Sequence, residues 1–381
     1  MSRRDIGAFI RQCCRVDGPL PGHQPLGRPP VSQDELLADT AIYQGVAPLV
    51  QAALRADRRD DRPIPALDDW VMLATGAALR AYTDLALAAT TIDGLGHPWA
   101  VLKGAALANT VYPDPLQRLF ADVDVLVRPA DLKEATDALV ETGGRILDKN
   151  WSLMASDRRG QVHLRLPSGT LVDLHWSLLN SGQVRDRFTL PTDDLLTRLA
   201  KTTTPTGTVV PILGDVDQLA HVALHAALSG GHRLSWFVDV DRMVRDGFTD
   251  WEELVARATT WRGRAAIGGV LLRGQRVLST PIPTAVIDEL SNRRTSLLVS
   301  VLDRCAPTGT ARHDPGSALV MSSLRDTGST ASIPRLNRWL NPKGAARAWR
   351  SWRSKQPTLD LMSTRAGTPD DYFRVVRPGG S

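Results

Sequence analysis

The hexapeptide Asp122-Val-Asp-Val-Leu-Val127 constrains this chain more than any other stretch. Its first four residues alternate charged and apolar, the period of a β-strand, so both carboxylates share one face and both valines the other. Two carboxylates side by side repel unless a cation neutralises them, and hard oxygen ligands at this spacing suit Mg²⁺. Upstream, Trp99-Ala-Val-Leu102 reads as a buried strand running into Lys103-Gly104-Ala105-Ala106, the opening of a short helix over 105–111. A glycine at that junction lets backbone N–H groups approach a phosphate chain, and Lys103 adds a point charge. Downstream, 162–166 and 171–175 are strand-like runs joined by Pro167-Ser-Gly-Thr170, a hairpin pattern. On the second of these, Asp173 lies opposite the apolar Val172 and Leu174, a third carboxylate on an adjacent strand.

Asp-x-Asp spelling alone is a weak signal, because Asp215-Val-Asp217 and Asp239-Val-Asp241 repeat it. Those two fall in helical patterns, where residues two apart do not face each other. Asp217 therefore reads as the N-cap of a helix over 219–228, and Asp239 as a structural contact. His221 and His225 share a helical face, but Val222 stands where a zinc-site general base would be, so a helix–helix contact is the simpler account, with a substrate-facing role the alternative. His175 shares the face of Asp173 and is either a cleft residue or a satisfied interface histidine. Arg118, just before the carboxylate strand, is better placed than an average arginine to meet phosphate, a salt bridge to a nearby Asp being the plainer alternative.

Around this centre the apolar spacing is helical. It predicts helices over 34–57 and 67–92, over 130–140, over 236–244 and over 251–278, with irregular chain at 17–31. The expected division is a helical region over 1–94, a core over 95–195, a helical region over 196–304, and a Gly/Ser/Pro-rich linker with a basic tail over 305–381. With 43% apolar and 23% charged residues the composition is that of a globular protein and excludes general disorder, collagen and coiled coil. Three cysteines build neither a disulfide framework nor a Cys-rich metal site, and no apolar run reaches the length of a membrane span. The expectation is a soluble, cytoplasmic protein.

Leu102-Lys-Gly104, Tyr112-Pro, Arg118, the 122–127 strand and Val172-Asp-Leu-His-Trp176 together resemble the nucleotidyltransferases of the DNA polymerase β superfamily. Within it the chain is most similar to a bacterial family of uncharacterised nucleotidyltransferases, whose flanking pattern also includes Gly45-Val-Ala-Pro-Leu49, His221, His225 and Asp239. The resemblance spans roughly residues 40–280. It implies an α+β fold, a polymerase-β-like core of small mixed sheet and helices flanked by helical N- and C-terminal regions. It implies transfer of a nucleoside monophosphate from an NTP, most simply ATP, with pyrophosphate released. Asp122, Asp124 and Asp173 would be the catalytic and metal-binding carboxylates, holding two Mg²⁺ (or Mn²⁺) ions. Lys103, Gly104, Ala105 and Arg118 would bind the phosphates. Two departures stand out: Ala105 replaces the usual serine or glycine after Gly104, and residues 106–121 make a longer gap than usual.

The acceptor stays open among a small molecule, a peptide, a protein side chain and RNA, and a catalytically silent nucleotide-binding module is the non-enzyme alternative. The net charge of +5 is localised, because residues 327–355 carry seven basic residues and no acidic one, leaving the remainder slightly acidic. There Arg335, Arg338, Lys343, Arg347, Arg350, Arg353 and Lys355 are interleaved with Trp339, Trp349 and Trp352, a pattern open to RNA, an anionic membrane surface, an acidic peptide or simple packing.

Overall fold

The computed structural model describes residues 3–16, 26–57, 62–305, 307–309, 361–362 and 364–376. The basic tail over 335–355 lies outside the described residues. At the N-terminal end are α1 (Arg3–Cys14), α2 (Asp34–Tyr43), α3 (Ala47–Ala56) and the long α4 (Pro65–Asp93). The expected continuous helix over 34–57 is two helices. The break is at Gly45, whose φ of +70° is left-handed and ends α2 at no steric cost, which apolar spacing alone does not reveal.

The core then runs β1 (Trp99–Leu102), α5 (Lys103–Thr110), β2 (Asp122–Val127), α6 (Leu132–Glu141), β3 (Arg145–Ile146), α7 (Trp151–Ser156), β4 (Gln161–Arg165) and β5 (Leu171–His175). Short helices α8 (Gly182–Arg185) and α9 (Thr192–Leu195) lead to a second hairpin, β6 (Leu199–Thr203) and β7 (Val209–Leu213). All seven strands form one mixed sheet in the order β3-β4-β5-β2-β1-β7-β6. The sheet therefore extends beyond residue 195, where the core was expected to end, because β7 pairs in parallel with β1 through Val101 and Ile212. Residues 199–213, counted above with the helical region over 196–304, are strands, and Pro211 sits in β7 without a ladder donor.

The alternation expected of β2 holds across the sheet. Val123, Val125, Val162, Leu164, Val172 and Leu174 are fully buried on one face, against α4 and α6. The opposite face carries Asp122, Asp124, Asp173, His175, Gln161 and His163, whose positions are set by the register: Asp124 is the direct partner of Asp173, and Asp173 of His163. β2 and β5 run parallel, so their carboxylates emerge at the same height.

Helices α10 (Asp215–Leu228), α11 (Leu234–Arg245), α12 (Trp251–Thr260), α13 (Arg264–Leu278), α14 (Thr284–Leu290) and α15 (Arg293–Cys305) pack with α1–α3 in a second core, which also takes in Ala100, Leu102, Leu126 and Leu213 of the sheet. The expected helix over 251–278 divides at Arg262 and Gly263, Arg262 having a φ of +57°. Asp217 is not an N-cap. Gly214 holds that position, and Asp217 is buried in the first turn of α10, paired with Arg198 (2.9 Å) and Arg257. Helix α16 (Pro369–Val376) returns to the sheet domain and packs on α7, burying Tyr372 and Phe373 against Trp151. Among the described residues no helix is long and apolar enough to cross a membrane.

Candidate active site

The polar face of β2 and β5 forms the floor of a cleft whose far wall is α10 and the start of α11. Asp124, Asp173 and His175 stand close enough to hold one ion, each offering a ligand atom within 4.8 Å of the others. Asp122 is outside that group but opens onto the cleft beside it. Of the carboxylates predicted from sequence, the fold thus brings all three to one place, and it adds His175, which the strand period had placed on the same face.

Electrostatics divide the two β2 carboxylates. Burial alone would raise Asp124, but the Lys103 ammonium (Nζ to Oδ1, 2.8 Å) and His175 (Nε2 to Oδ1, 2.8 Å) outweigh it and hold Asp124 well below the usual carboxylate range. Asp122 goes the other way. Burial at the cleft floor, then the charges of Asp124 and Asp173, raise its carboxyl. For Lys103, burial is outweighed in turn by Asp124, with Asp122 and Asp173 adding to it, so its ammonium stays charged.

Asp173 is oriented by Gln161, whose Nε2 donates to its Oδ2 at 2.8 Å. Behind it, His163 donates from Nδ1 to Asp148 (2.9 Å), a buried carboxylate that also accepts the His163 backbone N–H. These second-layer residues lay beyond the sequence reading. Their signal was present in the alternation of Gln161-Val-His163-Leu, which puts both polar groups on the Asp173 side.

The expected phosphate-binding residues are distributed differently. Gly104 lines the cleft, and a Cβ at that position would lie 2.9 Å from Cβ of Phe120, so the close approach of these two backbones demands glycine. Lys103 is held in a left-handed conformation (φ +45°), a strained state for a residue with a side chain, and its ammonium is on Asp124. Ala105 points into the core, 3% exposed. Arg118 lines the cleft, but its Nε and Nη2 donate to both oxygens of buried Asp239 (2.8 and 3.0 Å), and Nη1 donates to the Leu119 carbonyl. Tyr112 donates to the same Asp239 at 2.8 Å. This network fastens the 112–121 segment to α11.

His221 and His225 are cleft residues as well as helix contacts. Burial, then the charge of Lys103, lowers His225 to about 3, and the same two causes hold His221 well below its usual value. Both rings are therefore neutral at physiological pH. The carboxylates divide the cleft into two chambers of about 430 and 470 Å³, which share Lys103, Asp122, Asp124 and His225.

The residues fit a divalent cation. The donor set is hard oxygen with one imidazole, three carboxylates line the same space, and His175 Nδ1 is buried without a hydrogen-bond partner among the described residues.

A search of curated proteins finds no match. Among solved structures, the chain is similar to the crystal structure of an antigenic nucleotidyltransferase-like protein from Paracoccidioides brasiliensis. The identity is 18%, covering 55% of this chain and 96% of that one, with a TM-score of 0.37. Residues 30–278 match a family described as uncharacterised nucleotidyltransferases, a span that takes in the glycine turn, the carboxylate cluster and the α10–α13 bundle. The chain belongs to this nucleotidyltransferase family.

Proposed function

We propose that the protein is a metal-dependent enzyme that transfers a nucleoside monophosphate from an NTP, most simply ATP, to a hydroxyl or phosphate acceptor. The observation that carries this reading is the meeting of Asp122, Asp124 and Asp173 on one face of two parallel strands, beside a glycine turn and a helix start. The new bond joins the acceptor oxygen to the α-phosphorus, and the bond from that phosphorus to the bridging oxygen breaks, releasing pyrophosphate. Divalent ions such as Mg²⁺ or Mn²⁺, held by Asp122, Asp124 and Asp173, would supply charge neutralisation for the triphosphate and the leaving group. Asp173, steadied by Gln161, would accept the acceptor's proton. His175 and Lys103 keep Asp124 ionised. Positioning and electrostatics supply most of the rate in chemistry of this type.

The acceptor chamber on this reading is the one past Asp173, lined by Leu178, Leu179, Val184, Leu224 and Leu228 with Asn180 and Arg159. A space of about 470 Å³, lined by these apolar side chains and by polar ones, suits a small molecule or a peptide side chain better than a folded RNA. A specific observation supports one alternative, a nucleotide-binding module without turnover: Ala105 lacks the turn hydroxyl, and both expected phosphate cations, Lys103 and Arg118, are held by internal carboxylates.

Pyrophosphate release with Mg²⁺, each NTP and a cell lysate as the source of acceptors separates the two readings. Turnover in the wild type that falls at least about a hundredfold in Asp173→Asn supports the enzyme. Absence of turnover with every NTP sinks it. Asp173→Asn is preferable to Asp124→Ala, because removing the Asp124 carboxylate leaves the Lys103 ammonium buried without its partner.

A further inference from the structure

In the cleft, the cations nearest the carboxylates are already engaged: Lys103 with Asp124, Arg118 with Asp239 and Arg159 with Asp157 (2.8 Å). Arg233 is different. It is exposed at the mouth of the chamber on the glycine-turn side, and among the described residues it makes no hydrogen bond or ion pair. It stands immediately before α11, whose first N–H groups are fastened by Gln44: Leu234 N donates to Gln44 Oε1 at 2.7 Å and Ser235 N to the Gln44 carbonyl at 3.1 Å. The next residue, Gly45, comes so close that a Cβ there would meet Ser235 Oγ at 2.9 Å. The start of α11 is thus held rigidly against the α2–α3 turn.

One turn further, Trp236 lines the same chamber. Two histidine rings buttress it edge-on, His232 at 5.0 Å and 80° and His225 at 6.0 Å and 87°. The two near-perpendicular ring contacts restrict the indole's rotation, which favours a stacking platform. The chamber of about 430 Å³ also contains Gly104, where backbone can approach phosphate.

We infer that the nucleotide occupies this chamber, with its base on Trp236 and its phosphates reaching Arg233, and that Arg233 rather than Arg118 is the arginine that binds triphosphate. The inference rests on the nucleotidyl-transfer reading and assigns its donor substrate to one side of the carboxylates. An arginine without an internal partner gives up no existing ion pair when it binds phosphate, and its planar fork matches two phosphate oxygens.

The test is equilibrium binding to the full-length protein with Mg²⁺, using α,β-methylene-ATP, whose bridging carbon blocks cleavage at the reacting bond, and adenosine in parallel. Arg233→Ala is expected to weaken the triphosphate analogue about tenfold or more, to leave adenosine within about twofold, and to flatten the salt dependence. Arg233→Lys should recover part of the loss. Trp236→Ala is expected to weaken both ligands about fivefold or more, and Trp236→Phe to restore them. If the wild type binds the analogue and both Arg233→Ala and Trp236→Ala bind it equally well, the assignment of the chamber is wrong while the nucleotidyl-transfer reading stands. If the wild type binds no nucleotide, both are wrong.

Discussion

Asp122 and Asp124 are two residues apart on one strand, yet their surroundings treat them oppositely. Lys103 and His175 compensate Asp124, whereas at Asp122 burial and the repulsion of Asp124 and Asp173 outweigh the attraction of Lys103. A carboxyl raised in the folded state costs nothing below its unfolded pKa, and its cost grows as pH rises through the folded value. Asp122→Asn should therefore melt slightly above the wild type in chelator at neutral pH, with the gain shrinking towards pH 4. Added Mg²⁺ should reverse the order, because it stabilises only the protein that keeps its ligands. Thermal melts in EDTA and in Mg²⁺ decide the matter: an Asn variant that gains as much from Mg²⁺ as the wild type would remove Asp122 from the metal site. The carboxylate face was legible from period-two alternation alone. The partners of Lys103 and Arg118 were not, since Asp239 is 121 positions from Arg118 and no local pattern links them.

At the scale of elements, the turn from β1 into α5 is where local conformation and packing are most tightly coupled. Lys103 takes the left-handed conformation, and Gly104 lies under Phe120, whose ring packs edge-on to Tyr82 at 5.0 Å. The atom that a new side chain at position 104 would strike is the Cβ of Phe120, so no rotamer change relieves the contact and the lead into β2 must shift. Gly104→Ala is expected to cost about 1–3 kcal/mol, read as a loss of Tm, and to weaken nucleotide binding with it. An alanine variant with wild-type stability would mean that the 112–121 segment yields easily, contrary to its anchorage on Asp239 by Tyr112 and Arg118. Elements with strong periodicity, such as β2, α6 and the β4–β5 hairpin, were recoverable from sequence within a residue or two. The breaks at Gly45 and Arg262 and the β6–β7 hairpin were not. Positive-φ stops leave the apolar spacing almost undisturbed, and β7 carries a proline and earns its place by a parallel pairing with distant β1.

For the whole molecule, the C-terminal segment after residue 360 is part of the sheet domain rather than an appendage. Leu361 accepts backbone hydrogen bonds from Lys149 (2.7 Å) and Asn150 (2.9 Å), and Ala366 accepts one from Ser152 (3.0 Å). Tyr372 is fully buried, donating to the Arg159 carbonyl at 2.6 Å and accepting from Trp176 Nε1 at 3.0 Å. Arg159 and Gln161 line the chamber past Asp173, so the segment braces one wall of the cleft. Truncation after residue 360 removes Leu361, Tyr372, Phe373 and Val376 from a closed core. At about 1.5–3 kcal/mol for each large side chain buried, Tm should fall by about 10 °C or more, although the basic 335–355 segment is kept. The complementary deletion of 335–355 alone leaves those contacts in place, so any loss it causes in acceptor use, with NTP binding unchanged, belongs to the basic segment. A chain cut after 360 that melts with the wild type would show that α16 contributes nothing to the core, and the wall bearing Arg159 and Gln161 would then have to be held by β4 and β5 alone.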